Sequence, residues 1–160
     1  MSVWSLLFLT FAVFIVLKKL TGGFKPRFPS DNLITGGQPR ANDIELMKQQ
    51  GCSDVINMRG AHERTGFDEK AHVESLGLSY HHIPVMGPSD VNVATARALH
   101  KVLKKSKGKT LIHCASGNRV GAAVALYGYK HLDMNKDDAI AFGRRAGLGA
   151  MAPLVRAQMK

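Results

Sequence analysis

The sequence predicts an α/β domain of three layers, with a mainly parallel sheet of four or five strands flanked by helices. Three observations predict it. Short apolar or β-branched runs alternate with helical stretches of about 10 to 15 residues, the pattern of βαβ units. Capping side chains and glycines mark the boundaries between them. The length, 160 residues at 45% hydrophobic and 21% charged, suits one buried core.

In chain order, Leu33 to Thr35 reads as a short strand ending at Gly36-Gly37. Asn42 or Asp43 is expected to cap a helix that runs to about Gln50 and stops at Gly51. The β-branched run Asp54 to Met58 predicts a strand, Phe67 to Ser75 a helix stopped at Gly77, and Leu78 to Val85 a third strand. A helix is expected to start at Asp90 and reach about Lys105, followed by a short apolar strand, Thr110 to His113. Asn118 to His131 is an Ala- and Gly-rich helix, and two more helical stretches follow near 136–145 and 152–158. In such sheets the ligand sits at the carboxyl ends of the strands.

Composition excludes several classes. It is that of an ordinary globular chain, without repeats or low-complexity tracts, so neither a disordered tail nor a collagen-like fibre fits. Two cysteines, Cys52 and Cys114, are too few for a disulfide scaffold. The charge balance is the oddity: 22 Lys+Arg against 12 Asp+Glu, a formal net charge of +10. That surplus suits an anionic partner, whether a phosphate compound, nucleic acid or an acidic membrane surface.

Residues 1–17 form an apolar run without a charge, closed by Lys18 and Lys19. As a helix they would span about 25 Å, slightly short of the ~30 Å hydrocarbon core, and snorkelling lysines extend the reach. A cleaved signal segment is the competing reading, but nothing basic precedes the run and no small-x-small site closes it. The expectation is therefore an N-terminal membrane anchor over residues 1–20, a linker over 21–30 rich in Gly and Pro, and one domain over 31–160. The positive-inside tendency puts that domain on the cytoplasmic side of the inner membrane, behind a single span.

The sharpest chemical signal is Lys109 to Ala123. A buried strand runs into His113-Cys114, a tight loop of Ala115, Ser116, Gly117 and Asn118 follows, and Arg119 opens a helix. Free backbone N–H groups at a helix start make an anion site. Gly117 allows positive φ and close backbone approach. Arg119, five residues after the cysteine, can bind an oxyanion in bidentate fashion. One loop thus supplies a nucleophile, an anion cradle formed by residues 115–118, and a cationic clamp. The combination suits attack on a phosphate ester or on a sulfur-bearing anion. The bland alternative makes Cys114 a small buried residue and Arg119 a surface cation.

These residues resemble the cysteine-dependent phosphatase superfamily, in particular its bacterial dual-specificity-like branch, which includes domains fused to NAD kinase or to β-lactamase-fold hydrolases. The resemblance spans residues 30–158. It rests on Gly36-Gly37-Gln38-Pro39, Val55-Ile56-Asn57-Met58-Arg59, Ile83-Pro84-Val85 and the Cys114 to Arg119 loop. It implies a tyrosine- or dual-specificity-phosphatase-like fold, a phosphocysteine intermediate, no metal and no cofactor, with Arg119 holding the phosphoryl oxygens. The substrate would be a phosphorylated protein or a small anionic phosphate compound. Two departures stand out. The usual loop of that superfamily has one residue more than the four found here between cysteine and arginine, and Val120 occupies a position usually held by Ser or Thr. The shorter loop is shared with rhodanese-type sulfurtransferases, so a Cys114 persulfide enzyme and an anion-binding pseudo-phosphatase remain alternatives.

Phosphoester cleavage also needs an acid for the leaving oxygen. The resemblance places it after the third strand, where Asp90 is the sole carboxylate; a helix N-cap is its structural alternative. Glu63 and Asp68 are weaker candidates. Arg59 ends a strand on the ligand-facing edge, so either substrate contact or a structural ion pair is expected. His113 points away from its neighbour Cys114, into the scaffold. Gln38 is read as a turn residue beside Pro39, and Cys52 as a small buried side chain. The lysines between 101 and 109 form a solvated helix end. No aromatic stacking pattern supports nucleic-acid binding.

Overall fold

The computed structural model describes residues 24–160. Within them five strands and six helices follow one another: β1 Arg27–Ser30, β2 Leu33–Gly36, α1 Ala41–Gln49, β3 Cys52–Asn57, α2 Glu69–Ser75, β4 Ser79–His82, α3 Val93–Leu103, β5 Lys109–His113, α4 Asn118–His131, α5 Lys136–Ala146 and α6 Ala152–Gln158. The sheet order is β1-β2-β5-β3-β4. Only β1–β2 is antiparallel; β5 lies between β2 and β3, parallel to both. The three-layer α/β arrangement is the expected one. The membrane segment expected over residues 1–20, and the linker residues 21–23, lie outside the described residues.

Neighbouring β5 residues feed opposite layers, as pleating requires. Leu111 joins Ile34, Val55, Ile44, Met47 and Val73 under α1 and α2. Ile112 joins Leu33, Ile56, Leu99, Val124 and Leu126 under α3 and α4. A strand buried on both faces presents apolar residues at consecutive positions, which is why its run is unbroken. Its carboxyl end therefore emerges from the middle of the molecule.

Four boundaries differ from expectation, each for a local reason. The second half of the expected linker is β1: proline lacks an N–H, which an edge strand tolerates, so Pro29 fits there. Phe24 is buried as well, its ring lying against Gly36, so the packed domain begins before residue 31. Arg40, not Asn42 or Asp43, is the α1 N-cap; Asp43 sits at the third helical position, where Oδ2 accepts the Arg40 N–H at 2.9 Å. Regular β4 stops at His82 because Pro84 has no N–H, although Ile83 and Val85 still donate to Asn57 and Met58 carbonyls. Helix α3 starts at Val93 under an Asn92 cap, after a 3-10 turn over Pro88–Asp90.

Helices α4 and α5 meet at unusually short range. A Cβ placed on Gly121 would lie 2.0 Å from the Leu148 backbone nitrogen, and one on Gly143 2.5 Å from the Ala125 methyl. Backbone cannot yield as a flexible side chain can. Alanine in a helix gains about 1 kcal/mol over glycine in propensity, while overpacking costs about 1–3 kcal/mol and more against backbone. Gly121→Ala is therefore expected to lower stability by about 2 kcal/mol, read as a lower urea midpoint at unchanged slope; an unchanged or raised midpoint would contradict this packing.

Candidate active site

Strand β5 delivers Cys114 to the carboxyl edge of the sheet, and α4 begins four residues later. The turn between them needs Gly117 at φ 95°, a left-handed conformation that side-chain-bearing residues avoid. The Gly117 N–H then donates to Cys114 Sγ at 3.1 Å. Among the described residues the N–H groups of Ala115, Ser116 and Asn118 donate to no protein acceptor, so they line an open cradle. The Gly36-Gly37-Gln38 segment braces this loop: Cys114 N–H donates to Gly36 O at 3.4 Å and Gln38 N–H to Ala115 O at 3.1 Å. The Asn118 side-chain Oδ1 accepts the Gly149 N–H at 2.8 Å.

Arg119 is held by two acceptors on two of its three edges. Nη1 and Nη2 donate to Glu63 Oε1 and Oε2 at 2.6 and 2.7 Å, and Nη1 gives its other proton to Val85 O at 2.8 Å. The Nε–H and the second Nη2–H remain, parallel on one edge, which is the fork that matches two oxygens of a tetrahedral oxyanion. The Cys114 sulfur also interacts with the guanidinium, so the two side chains lie side by side at the loop. Hydrogen bonds from Arg119, aided by the Gly60 N–H and outweighing burial, hold the Glu63 carboxyl at about 2 instead of 4.5.

Behind the loop runs a chain of polar contacts. Arg59 Nε pairs with Glu63 Oε2 at 3.4 Å, its Nη1 donates to Gln38 Oε1, and Gln38 Nε2 donates to Glu69 Oε2 at 2.8 Å. Glu69 Oε1 lies 2.7 Å from His113 Nε2, with both side chains buried. Burial works to raise the Glu69 carboxyl, but the bonds from His113 and Gln38 outweigh it and hold it below the ordinary range. The residue before the nucleophile is thus tied to the residue that grips the clamp.

Arg59, one of two expected roles for which was substrate contact, takes the structural one. It is 8% exposed; its Nη1 donates to Gln38 Oε1 and its Nη2 to the Arg64 carbonyl, while Nε, 3.4 Å from Glu63 Oε2, makes no hydrogen bond among the described residues. Asp90 is not the α3 cap; its Oδ2 accepts the Met86 N–H at 2.8 Å, one residue from the Val85 carbonyl that holds Arg119. Val120 is wholly buried and Ser116 is exposed without a side-chain partner, so the hydrogen bond to the Cys114 sulfur comes from the Gly117 amide. Burial pushes the Cys52 thiol up to about 12, in keeping with a packing role. Gln38 proves to be a bridge as well as a turn residue. Glu69 was missed altogether: following Asp68 it reads as first-turn helix decoration, and only the fold sets it against His113.

No family profile matches the chain. Its curated relatives include a β-lactamase hydrolase-like protein of Xylella fastidiosa strain Temecula1, 30% identical over 122 residues. The match takes in 74% of this chain and 28% of that protein, so the chain spans under a third of its relative's length. Among solved structures, a candidate phosphatase (DUF442) from Shewanella putrefaciens CN-32 aligns at 25% identity and TM-score 0.64, covering 89% of this chain and 91% of the other. Tk-PTP in its active form aligns at 15% identity and TM-score 0.66 over 84% of this chain and 95% of its own. The fold is the α/β fold of the tyrosine- and dual-specificity-phosphatase-like structures with which the chain aligns, and the Cys114–Arg119 loop lies at the carboxyl edge of its sheet.

The Glu63–Arg119 pair carries a pH signature. Because the folded-state carboxyl is lowered, the pair stabilises fully above about pH 4.5 and its contribution fades as pH falls toward 2. Glu63→Gln is expected to lower the urea midpoint at pH 6, with the gap to wild type closing as the pH is taken down to 2.5. A gap constant with pH would refute the ionic contribution.

Proposed function

We propose that the chain is a cysteine-dependent phosphatase that hydrolyses a phosphomonoester, on a protein side chain or a small compound, through a phosphocysteine intermediate. The observation that carries this reading is the free Nε/Nη2 edge of Arg119 beside Cys114, above a cradle of unpaired backbone N–H groups. The Cys114 thiolate attacks phosphorus in line with the ester bond. The cradle and the Arg119 fork hold the three non-bridging oxygens, whose charge is the main thing such a site must stabilise. Asp90 gives its proton to the leaving oxygen as the P–O bond breaks. It then takes a proton from the water that attacks phosphorus and releases cysteine thiolate and inorganic phosphate. Glu63 and Arg59 orient the clamp without touching substrate.

One feature favours a second reading. Four residues between Cys114 and Arg119 are the loop length of sulfurtransferases, in which the same cradle would stabilise a persulfide on Cys114. The phosphatase names of the structural neighbours support the first reading. We further propose that the apolar run at residues 1–17, followed by Lys18 and Lys19, holds the domain at the cytoplasmic face of the inner membrane.

The two chemistries separate in one assay pair: an aryl phosphate, and thiosulfate with cyanide. Wild type is expected to release phosphate, with Cys114→Ser abolishing it (about 10³-fold or more) and Arg119→Lys costing about 10²-fold by loss of the bidentate fork. Asp90→Asn should slow alkyl phosphates more than 4-nitrophenyl phosphate, since a nitrophenolate leaves without a proton. Thiocyanate production without phosphate release would transfer the assignment to the sulfurtransferase. Silence in both assays with retained phosphate binding would make the domain a pseudo-phosphatase.

A further inference from the structure

A cavity on the far side of the sheet takes no part in this chemistry. It measures about 400 Å³, within the size range of small-molecule sites. Its walls come from the β1–β2 turn and from the carboxyl ends of α3, α4 and α5. Thr110, at the start of β5, lines it, whereas Cys114 follows the end of that strand. At ~3.3 Å per residue the two places are about 13 Å apart along β5.

Its lining joins an apolar body to two polar side chains that have no hydrogen-bonding or ionic protein partner among the described residues. Leu103 and Phe142 supply hydrocarbon wall. Tyr127 is only 8% exposed, yet its hydroxyl has no hydrogen-bond partner among the described residues. Burial pushes the ionisation of that phenol up. The ring lies 6.1 and 6.0 Å from the His100 and His131 rings, which stack on each other at 4.4 Å. Buried tyrosine hydroxyls ordinarily find a partner, so one left facing a cavity marks a place for a ligand acceptor. Arg145 shares the lining; its guanidinium lies over the Phe142 ring at 5.5 Å and pairs with no carboxylate among the described residues. Arg145 is the one charged residue of the lining.

We propose that this cavity binds a small amphiphilic anion, with an alkyl or aryl body against Leu103 and Phe142 and an oxyanion head held by the Tyr127 hydroxyl and the Arg145 guanidinium. The hydroxyl donates to the head and the guanidinium neutralises it, a charge-assisted pairing that an uncharged analogue cannot form. A free carboxylate and an anionic lipid headgroup share this chemistry. Binding is independent of Cys114 and of the phosphatase reading.

The test is calorimetric titration of the full chain with 4-phenylbutyrate and with its uncharged amide. Saturable one-site binding of the carboxylate is expected, at least about tenfold tighter than the amide. Tyr127→Phe and Arg145→Gln should each weaken the carboxylate about three- to tenfold and leave the amide unchanged; circular dichroism confirms that both variants fold. Displacement of 4-phenylbutyrate by phosphatidylglycerol vesicles, but not by phosphatidylcholine vesicles, would name a lipid headgroup as the source. Retention in both would name a free anion. Absence of saturable binding, equal affinity for acid and amide, or equal affinity in wild type and both variants overturns the proposal.

Discussion

The clasp of Glu63 on Arg119 is the interaction on which the site depends. An arginine at the mouth of a loop would ordinarily sample many rotamers and face water. Here a carboxylate takes the end of its fork and the Val85 carbonyl takes one side, so the remaining edge has a single direction. Isolated surface pairs contribute about 0–1 kcal/mol. This pair is about four-fifths buried on both partners and bidentate, so removing either side leaves a charge poorly solvated and poorly paired. Its value to the protein is geometric as well as energetic: the clamp is aimed before any ligand arrives.

That aim is transmitted through the scaffold. Glu63 is set by its own turn, in which Gly60 N–H donates to Oε1 and Glu63 N–H returns to Gly60 O. Arg59 braces it from behind, and Gln38 and Glu69 carry the connection to His113, the residue preceding the nucleophile. Most of this chain lies in a low-dielectric layer, where satisfied polar contacts are strong and unsatisfied ones costly. The loop around Cys114 is consequently held from two sides, by the polar chain and by the Gly36–Gln38 backbone. The close α4–α5 contact at Gly121 and Gly143 fixes the helix that begins at the loop.

The sheet separates two kinds of place. At its carboxyl edge lie the thiol, the N–H cradle and the clamp. At its amino edge lies the cavity lined by Tyr127 and Arg145. Helix α4 touches both, beginning at the loop and carrying Tyr127 in its last turns.

Local patterns determined a good deal. The alternation of strands and helices, the position of α4 to the residue, and the strand–Cys–loop–Arg order are all local in sequence, and the fold preserves them. Loop chemistry was legible because a nucleophile, a positive-φ glycine and an arginine within six residues leave few geometries. Edges were less legible. Strand β1 hid behind Pro26 and Pro29, since an edge strand that pairs on one side leaves little apolar signature. The partners of the site were not legible at all. Glu63 lies 56 residues from Arg119, and Glu69 lies 44 residues from His113. Nothing in their neighbourhoods distinguishes them from solvated carboxylates. Asp90 and Arg59 likewise carried two readings apiece in the sequence. A residue's type sets which interactions it is able to make, and chain order sets its local conformation; which carboxylate meets which cation is decided when the sheet brings distant loops to one edge.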